Sequence, residues 1–275
     1  MRRRIFVSII AIIMAVGIGT SSAASQATAS SPPQPDSIAA IGDSVTRAAD
    51  VCCWYGDHPA NSWSTGGAGW DGITSQYERL RALNPDIAGH NYNDAVSGAR
   101  MSDGPAQAHK AVAQQADYVT ILLGANDLCT SSPSTMTPAD TFRGQIRRTL
   151  QILTDGLPAG ARIFVSSIPD VHQLWQIYHS DRLARAVWGV ADICQSLLAP
   201  SRTAAQRALV RDRNLAYNDV LQAQCAQITR CRYDGDAVFS YQFTRSDVSK
   251  LDYFHPNLSG QAHLAQTAWA ASWWN

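Results

Sequence analysis

The stretch Ser37–Asp50, SIAAIGDSVTRAAD, runs an apolar, strand-like segment directly into Gly42-Asp43-Ser44 and then into a helix-compatible stretch. A strand that hands over to a helix through a short polar turn is the first half of a βαβ unit. The same handover recurs along the chain. Candidate strands are Ser37–Ile41, Gly89–Val96, Tyr118–Leu123, Arg162–Ser166 and Ala237–Phe239. Between them lie helical patterns in WDGITSQYERLRAL (70–83), GPAQAHKAVAQQ (104–115), TPADTFRGQIRRTLQIL (137–153) and SRTAAQRALVRDRNLAYNDVLQAQCAQI (201–228). In the third, Thr137, Pro138 and Asp140 read as N-cap, first-turn proline and an acid at the positive helix end. Strand and helix alternating at this period predict an α/β fold, a three-layer α/β/α sandwich with about five parallel strands. The tract Pro169–Ser201 has mixed helical patterns and either inserts over the sheet edge or over a cleft or is ordinary packing; its Leu174, Trp175, Ile177, Val187 and Trp188 favour packing.

The 275 residues are 45% hydrophobic and 16% charged, enough to bury a core and too apolar for disorder. Acids and bases balance at 22 each, which gives no footprint for a nucleic acid partner. Residues 1–29 read as a secretory signal peptide: MRRR, the apolar run IFVSIIAIIMAVGIG, and the small-residue site Ala27-Thr28-Ala29, with rival cleavage points at Ser22–Ser25. Residues 30–36 form a linker and 37–275 one globular domain. The apolar run is shorter than the roughly 20 residues that span a bilayer, so no stable membrane insertion is expected after cleavage and the product is a secreted, extracellular monomer. Six cysteines in an oxidising compartment favour disulfides. Cys225 and Cys231 are close enough to clip a turn, and Cys129 with Cys194 follows by elimination. The adjacent Cys52 and Cys53 stay unassigned, because a ring between neighbours is strained and two free thiols would be reactive.

In an open parallel sheet, ligands collect outside the carboxyl ends of the strands. Residues able to do chemistry stand at those places: Gly42-Asp43-Ser44, Ser97-Gly98-Ala99, Gly124-Ala125-Asn126-Asp127 and Ile168-Pro169-Asp170, with LDYFHPNLSG (251–260) before the last helical segment. Each alone is ordinary turn chemistry. Together and in this order, GDSV (42–45), SGA (97–99), GAND (124–127) and DYFH (252–255) resemble the four blocks of the SGNH-hydrolase, or GDSL-like lipase/esterase, family across nearly the whole chain after residue 37. Val45 stands where the family name has leucine.

The resemblance implies a flavodoxin-like strand order and a serine esterase of carboxylic esters. It assigns Ser44 as nucleophile, His255 as base, Asp252 as its orienter, and Ser44, Gly98 and Asn126 as oxyanion-hole donors. The chemistry needs these types. A serine hydroxyl is a poor nucleophile until a base within roughly 2.6–3.2 Å takes its proton, and an imidazole needs its other nitrogen held. It also accounts for the missing G-x-S-x-G elbow, which belongs to another sheet architecture. Asp43 and Asp127 are given turn-supporting roles. His58, His90, His109, His172, His179 and His263 have no metal-ligand spacing, so neither metal nor cofactor is expected. Trp54, Tyr55, Trp63 and Trp70 either line an acyl or sugar pocket or pack a long loop; Trp269, Trp273 and Trp274 pack the last helix. The substrate expected is a small-molecule or lipid ester. The alternative is a carbohydrate-binding module or carbohydrate acetyl esterase on the same scaffold.

Overall fold

The computed structural model describes residues 32–275, so the expected signal peptide and the first two linker residues lie outside the described residues. Five strands form one parallel sheet in the order β2-β1-β3-β4-β5: β1 Ile38–Gly42, β2 Asn91–Asn93, β3 Tyr118–Leu122, β4 Arg162–Val165 and β5 Cys231–Tyr233. The helices are α1 Gln76–Leu83, α2 Gly104–Ala113, α3 Ala125–Leu128, α4 Ala139–Gly156, α5 His172–Tyr178, α6 Arg182–Val190, α7 Gln195–Leu198, α8 Ala204–Cys225, α9 Ala237–Ser240 and α10 Leu258–Ala270.

Because side chains alternate across a strand, each apolar strand feeds two cores. Val119, Ile121, Ile163 and Val165 point into one core with Phe142, Ile146 and Leu150 of α4 and Val210, Tyr217 and Leu221 of α8. Ile38, Tyr118, Leu122 and Phe164 point into the other with Tyr77 and Leu80 of α1 and Leu264, Ala265 and Ala268 of α10. The result is the expected three-layer sandwich. Trp63 and Trp274 are buried in the second core, whereas Trp54, Tyr55 and Trp70 are exposed.

Four local expectations are corrected. Ala237–Phe239 is helical, and the last strand is Cys231–Tyr233 instead. A short apolar run has the same signature in either state, and here the Asp234 carboxylate accepts from the N–H groups of Asp236 and Val238 and favours a turn into helix. Strand β2 covers only three residues of the Gly89–Val96 run. The segment after Gly42-Asp43-Ser44 is a series of turns, with Ala48 and Asp50 at positive φ, and apart from a short 3₁₀ turn at Pro59–Asn61 no helix follows until α1. Thr137 does not cap α4: Pro138 stands at the N-cap, and the Thr137 hydroxyl donates to Asp127 at 2.7 Å.

Disulfides join Cys129 to Cys194 and Cys225 to Cys231, both as expected from the sequence. Cys52 and Cys53 are not closed into a disulfide, and their Sγ atoms stand 2.6 Å apart.

Candidate active site

Strand order reverses between β1 and β3, so the loops that follow these two strands diverge and leave a crevice at their carboxyl ends. Ser44 follows β1 and Asn126 follows β3. At Gly42 a Cβ would collide with the Thr46 side chain and come within 2.9 Å of the Leu122 carbonyl, so only glycine lets the chain turn this tightly out of β1. Asp43 then fixes the turn by accepting from the Val45 N–H at 2.9 Å.

The imidazole arrives from the far end of the chain. Ser249–His255 is a closed turn: the Ser249 N–H donates to the His255 carbonyl and the Tyr253 N–H to the Ser249 carbonyl. Within it the Asp252 Oδ1 accepts from the N–H groups of Phe254 and His255, which leaves Oδ2 free to meet His255 Nδ1 at 2.5 Å. On the other side of the ring, Nε2 stands 2.7 Å from Ser44 Oγ. Two further bonds clamp α10 to the serine loop, from the Trp63 N–H to Gln261 Oε1 and from Gln261 Nε2 to the Val45 carbonyl. The structure therefore brings Ser44, His255 and Asp252 together.

Asn126 Nδ2 donates one hydrogen to the Ala99 carbonyl at 2.9 Å, so its amide is fixed with one hydrogen still uncommitted. The backbone N–H groups of Ser44 and Gly98 have no acceptor among the described residues. Gly98 is exposed and has φ +82°, a left-handed conformation that suits glycine. Its loop is tied to the serine loop through Asp57, which accepts from the Ser97 hydroxyl at 2.5 Å and pairs with Arg47 at 2.9 Å. Asp127 takes the supporting role expected of it, accepting from the Met101 N–H and the Thr137 hydroxyl.

Burial alone would lower the pKa of His255, but the hydrogen bond and charge of Asp252, with the charges of Asp50 and Asp43, outweigh it and hold the pKa above the ordinary histidine value. Burial would raise that of Asp252; the bond and charge of His255 and the two N–H groups reverse this and keep its carboxyl below the usual range. Asp43, fully desolvated, is pushed up to about 6.

Asp50 was not singled out by the sequence. Its Oδ2 lies 3.9 Å from His255 Nδ1, beside Asp252. No motif marks it, because its approach depends on a left-handed backbone, φ +54°, in a loop with no regular structure. Asp50, Asp252 and His255 each offer a ligand atom within 4.8 Å of the others. A shared zinc would hold two such atoms roughly 3.3 Å apart; the 2.5 Å between His255 Nδ1 and Asp252 is closer than that and is a hydrogen bond.

An apolar cavity opens at Ser44 and Asn126. Its walls are Val45 and Ala125 beside the serine, Val171, Leu174 and Ile177 of the tract 169–201, and Phe243, Val248 and Phe254 from the C-terminal segments. That tract therefore supplies a wall of the cleft, while its Trp188 packs beneath and donates to the Tyr253 carbonyl at 3.1 Å. None of Trp54, Tyr55, Trp63 and Trp70 lines this cavity. Among the described residues no helix is long and apolar enough to cross a membrane.

A profile of the GDSL-like Lipase/Acylhydrolase family matches residues 38–268. The chain is 26% identical over 221 residues to the membrane-associated phospholipase B1 of Rattus norvegicus; the match covers 66% of this chain and 15% of that relative's length. Solved structures with a similar fold include an α/β hydrolase enzyme from the metagenome of Lake Arreo, Spain (18% identity, 86% and 94% of the two chains, TM-score 0.53). An acetyl xylan esterase (14%, 86% and 98%, TM-score 0.52) and the extracellular lipase of Streptomyces rimosus (15%, 86% and 99%, TM-score 0.50) share it too. With the family profile running from the first strand to the last helix, the chain belongs to the GDSL-like lipase/acylhydrolase family.

Proposed function

We propose that the protein hydrolyses esters of apolar acyl groups through an acyl-enzyme on Ser44. The observation that carries this is the line Ser44 Oγ, His255 Nε2, His255 Nδ1, Asp252 Oδ2, with steps of 2.7 and 2.5 Å, at the mouth of an apolar cavity. Ser44 Oγ attacks the carbonyl carbon while His255 Nε2 takes its proton, and the imidazolium that forms is stabilised by Asp252. Charge on the former carbonyl oxygen meets the N–H groups of Ser44 and Gly98 and the free amide hydrogen of Asn126. His255 then returns the proton to the leaving alkoxide, and a water activated by the same nitrogen releases the acid. The acyl chain lies along Val171, Leu174, Ile177 and Phe243, where burying each methylene is worth about 0.8 kcal/mol.

An acetyl esterase of polysaccharides, or a carbohydrate-binding module, would have little use for that apolar wall. Export of the chain after cleavage within residues 22–29 is part of the same reading, and two disulfides in one domain support an oxidising compartment. The test is a chain-length series of p-nitrophenyl esters run beside acetylated xylan and a phospholipid, with Ser44→Ala as control. The expected result is kcat/KM rising from acetyl to medium acyl chains and vanishing in the variant. A Ser44→Ala protein that kept full activity would remove the nucleophile, and a preference for acetylated xylan would replace the substrate.

A further inference from the structure

Besides Asp252, a second carboxylate faces the back of the His255 ring, and it is held there by unusual means. Asp50 makes three separate contacts that fix it. Its N–H donates to the Gly56 carbonyl at 2.8 Å, its Oδ1 accepts from the Gly56 N–H at 2.6 Å, and its carbonyl accepts from the Ser249 hydroxyl at 2.5 Å. The last contact joins it to the turn that carries Asp252 and His255. The Tyr55 hydroxyl adds another tie from the same loop, donating to the Leu251 carbonyl at 3.0 Å. A non-glycine residue at φ +54° is strained, and such strain persists only where surrounding contacts enforce it. Here the enforcing contacts leave the other oxygen, Oδ2, 3.9 Å from Nδ1 and against the Asp252 carboxyl. The Asp50 side chain is only 17% exposed, so water screens this charge weakly.

We infer that Asp50 is a positioning residue for the hydrolysis, a second acid that steadies the imidazolium of His255 and keeps its Nδ1 proton directed at the two carboxyls. The inference rests on the esterase reading above. It goes further in assigning a function to a residue outside the four family blocks. The charged groups facing His255 are Asp252 and Asp50 at Nδ1 and Asp43 from the serine loop, so removing the Asp50 charge leaves two acids in place. Desolvation and the neighbouring Asp252 carboxylate push the Asp50 pKa up, against the Gly56 N–H, which marks the site as one that would not gather two acids for stability alone.

The test is the pH profile of kcat/KM for Asp50→Asn, which keeps an acceptor for the Gly56 N–H and loses only the charge. Hydrolysis needs neutral His255, so activity falls as pH drops through its pKa. With one neighbouring anion gone, the imidazolium is less favoured and the acidic limb moves to lower pH, while kcat at the optimum falls about tenfold. In a second arm, Asp252→Asn keeps residual turnover that Asp252→Asn/Asp50→Asn lowers by a further factor of about ten. A limb that stays where it is in Asp50→Asn, whether kcat changes or not, overturns the inference, as does a double variant no slower than Asp252→Asn. Should Asp50→Asn not fold, Asp50→Ser is measured for the same shift. An active Ser44→Ala would instead overturn the esterase reading, so the two failures are distinguishable.

Discussion

Two clusters in this molecule bring serine hydroxyls and a buried aspartate together beyond the carboxyl ends of strands, and on the esterase reading only one reacts. Beyond β4 and β5, Asp234 accepts from the Ser167 hydroxyl at 2.8 Å, from the Ser166 hydroxyl at 3.4 Å and from the N–H groups of Asp236 and Val238 at 3.1 Å each. Every group there has a partner within the protein. Around Ser44, by contrast, the hydroxyl is held by an imidazole, two backbone N–H groups have no acceptor, and Asn126 commits one hydrogen of two. A satisfied network stabilises a fold, whereas one left open is set to meet a charge that develops on something else. The carboxylate itself does not distinguish them.

Substitutions in the two clusters can break or sharpen that contrast. Ser44→Ala is expected to have the largest effect, a fall in kcat of roughly 10⁴-fold or more with the unfolding midpoint unchanged, read by ester hydrolysis and circular dichroism. Asn126→Ala should cost about 10²- to 10³-fold in kcat, some 2.7–4 kcal/mol of transition-state binding, with KM little altered. Asp234→Ala should do the reverse. It strands a hydroxyl, the buried N–H of Val238 and the partly buried N–H of Asp236, and is expected to reduce unfolding stability by about 3 kcal/mol in a urea titration, while the folded fraction retains its kcat/KM. If it abolished activity without loss of stability, the division between the clusters would fail.

The smallest effect concerns Asp43, on the reactive side. Its folded pKa of about 6 lies above the unfolded value near 3.8, so the stability linked to its protonation is complete below about pH 4 and is lost as pH rises through 6. Asp43→Asn should flatten that part of the stability profile. The variant and the parent are expected to converge near pH 4 and to separate above pH 6 by at most about 3 kcal/mol.

The reactive cluster was far more legible in the sequence than the closed one. Serine, asparagine, aspartate and histidine in their blocks carry chemistry that few other residue types supply, and β1, β3 and β4 are apolar runs buried on both faces, which a reader can find. Strand β5 is Cys-Arg-Tyr at the sheet edge, partly exposed, with no alternation to detect in three residues. The apolar run that looked like a strand instead, Ala237–Phe239, owes its helical turn to Asp234, a contact made by folding and invisible to periodicity. Asp50 was missed for the same reason: its position near His255 depends on Ser249, 199 residues further along the chain. The cavity wall from Val171 to Ile177 could be read as packing because Leu174 and Ile177 are apolar in either role.

Ser44 and His255 are 211 residues apart, and the histidine follows β5, the last strand of the sheet. Translation delivers a protein from its N-terminus, so the hydroxyl emerges from the ribosome before its base, which follows only after every strand of this sheet has been made. On the esterase reading, the nascent chain carries no working hydrolase until the segment with His255 has been made. An ester near the ribosome therefore meets no activated serine until the turn Ser249–His255 has closed onto the serine loop.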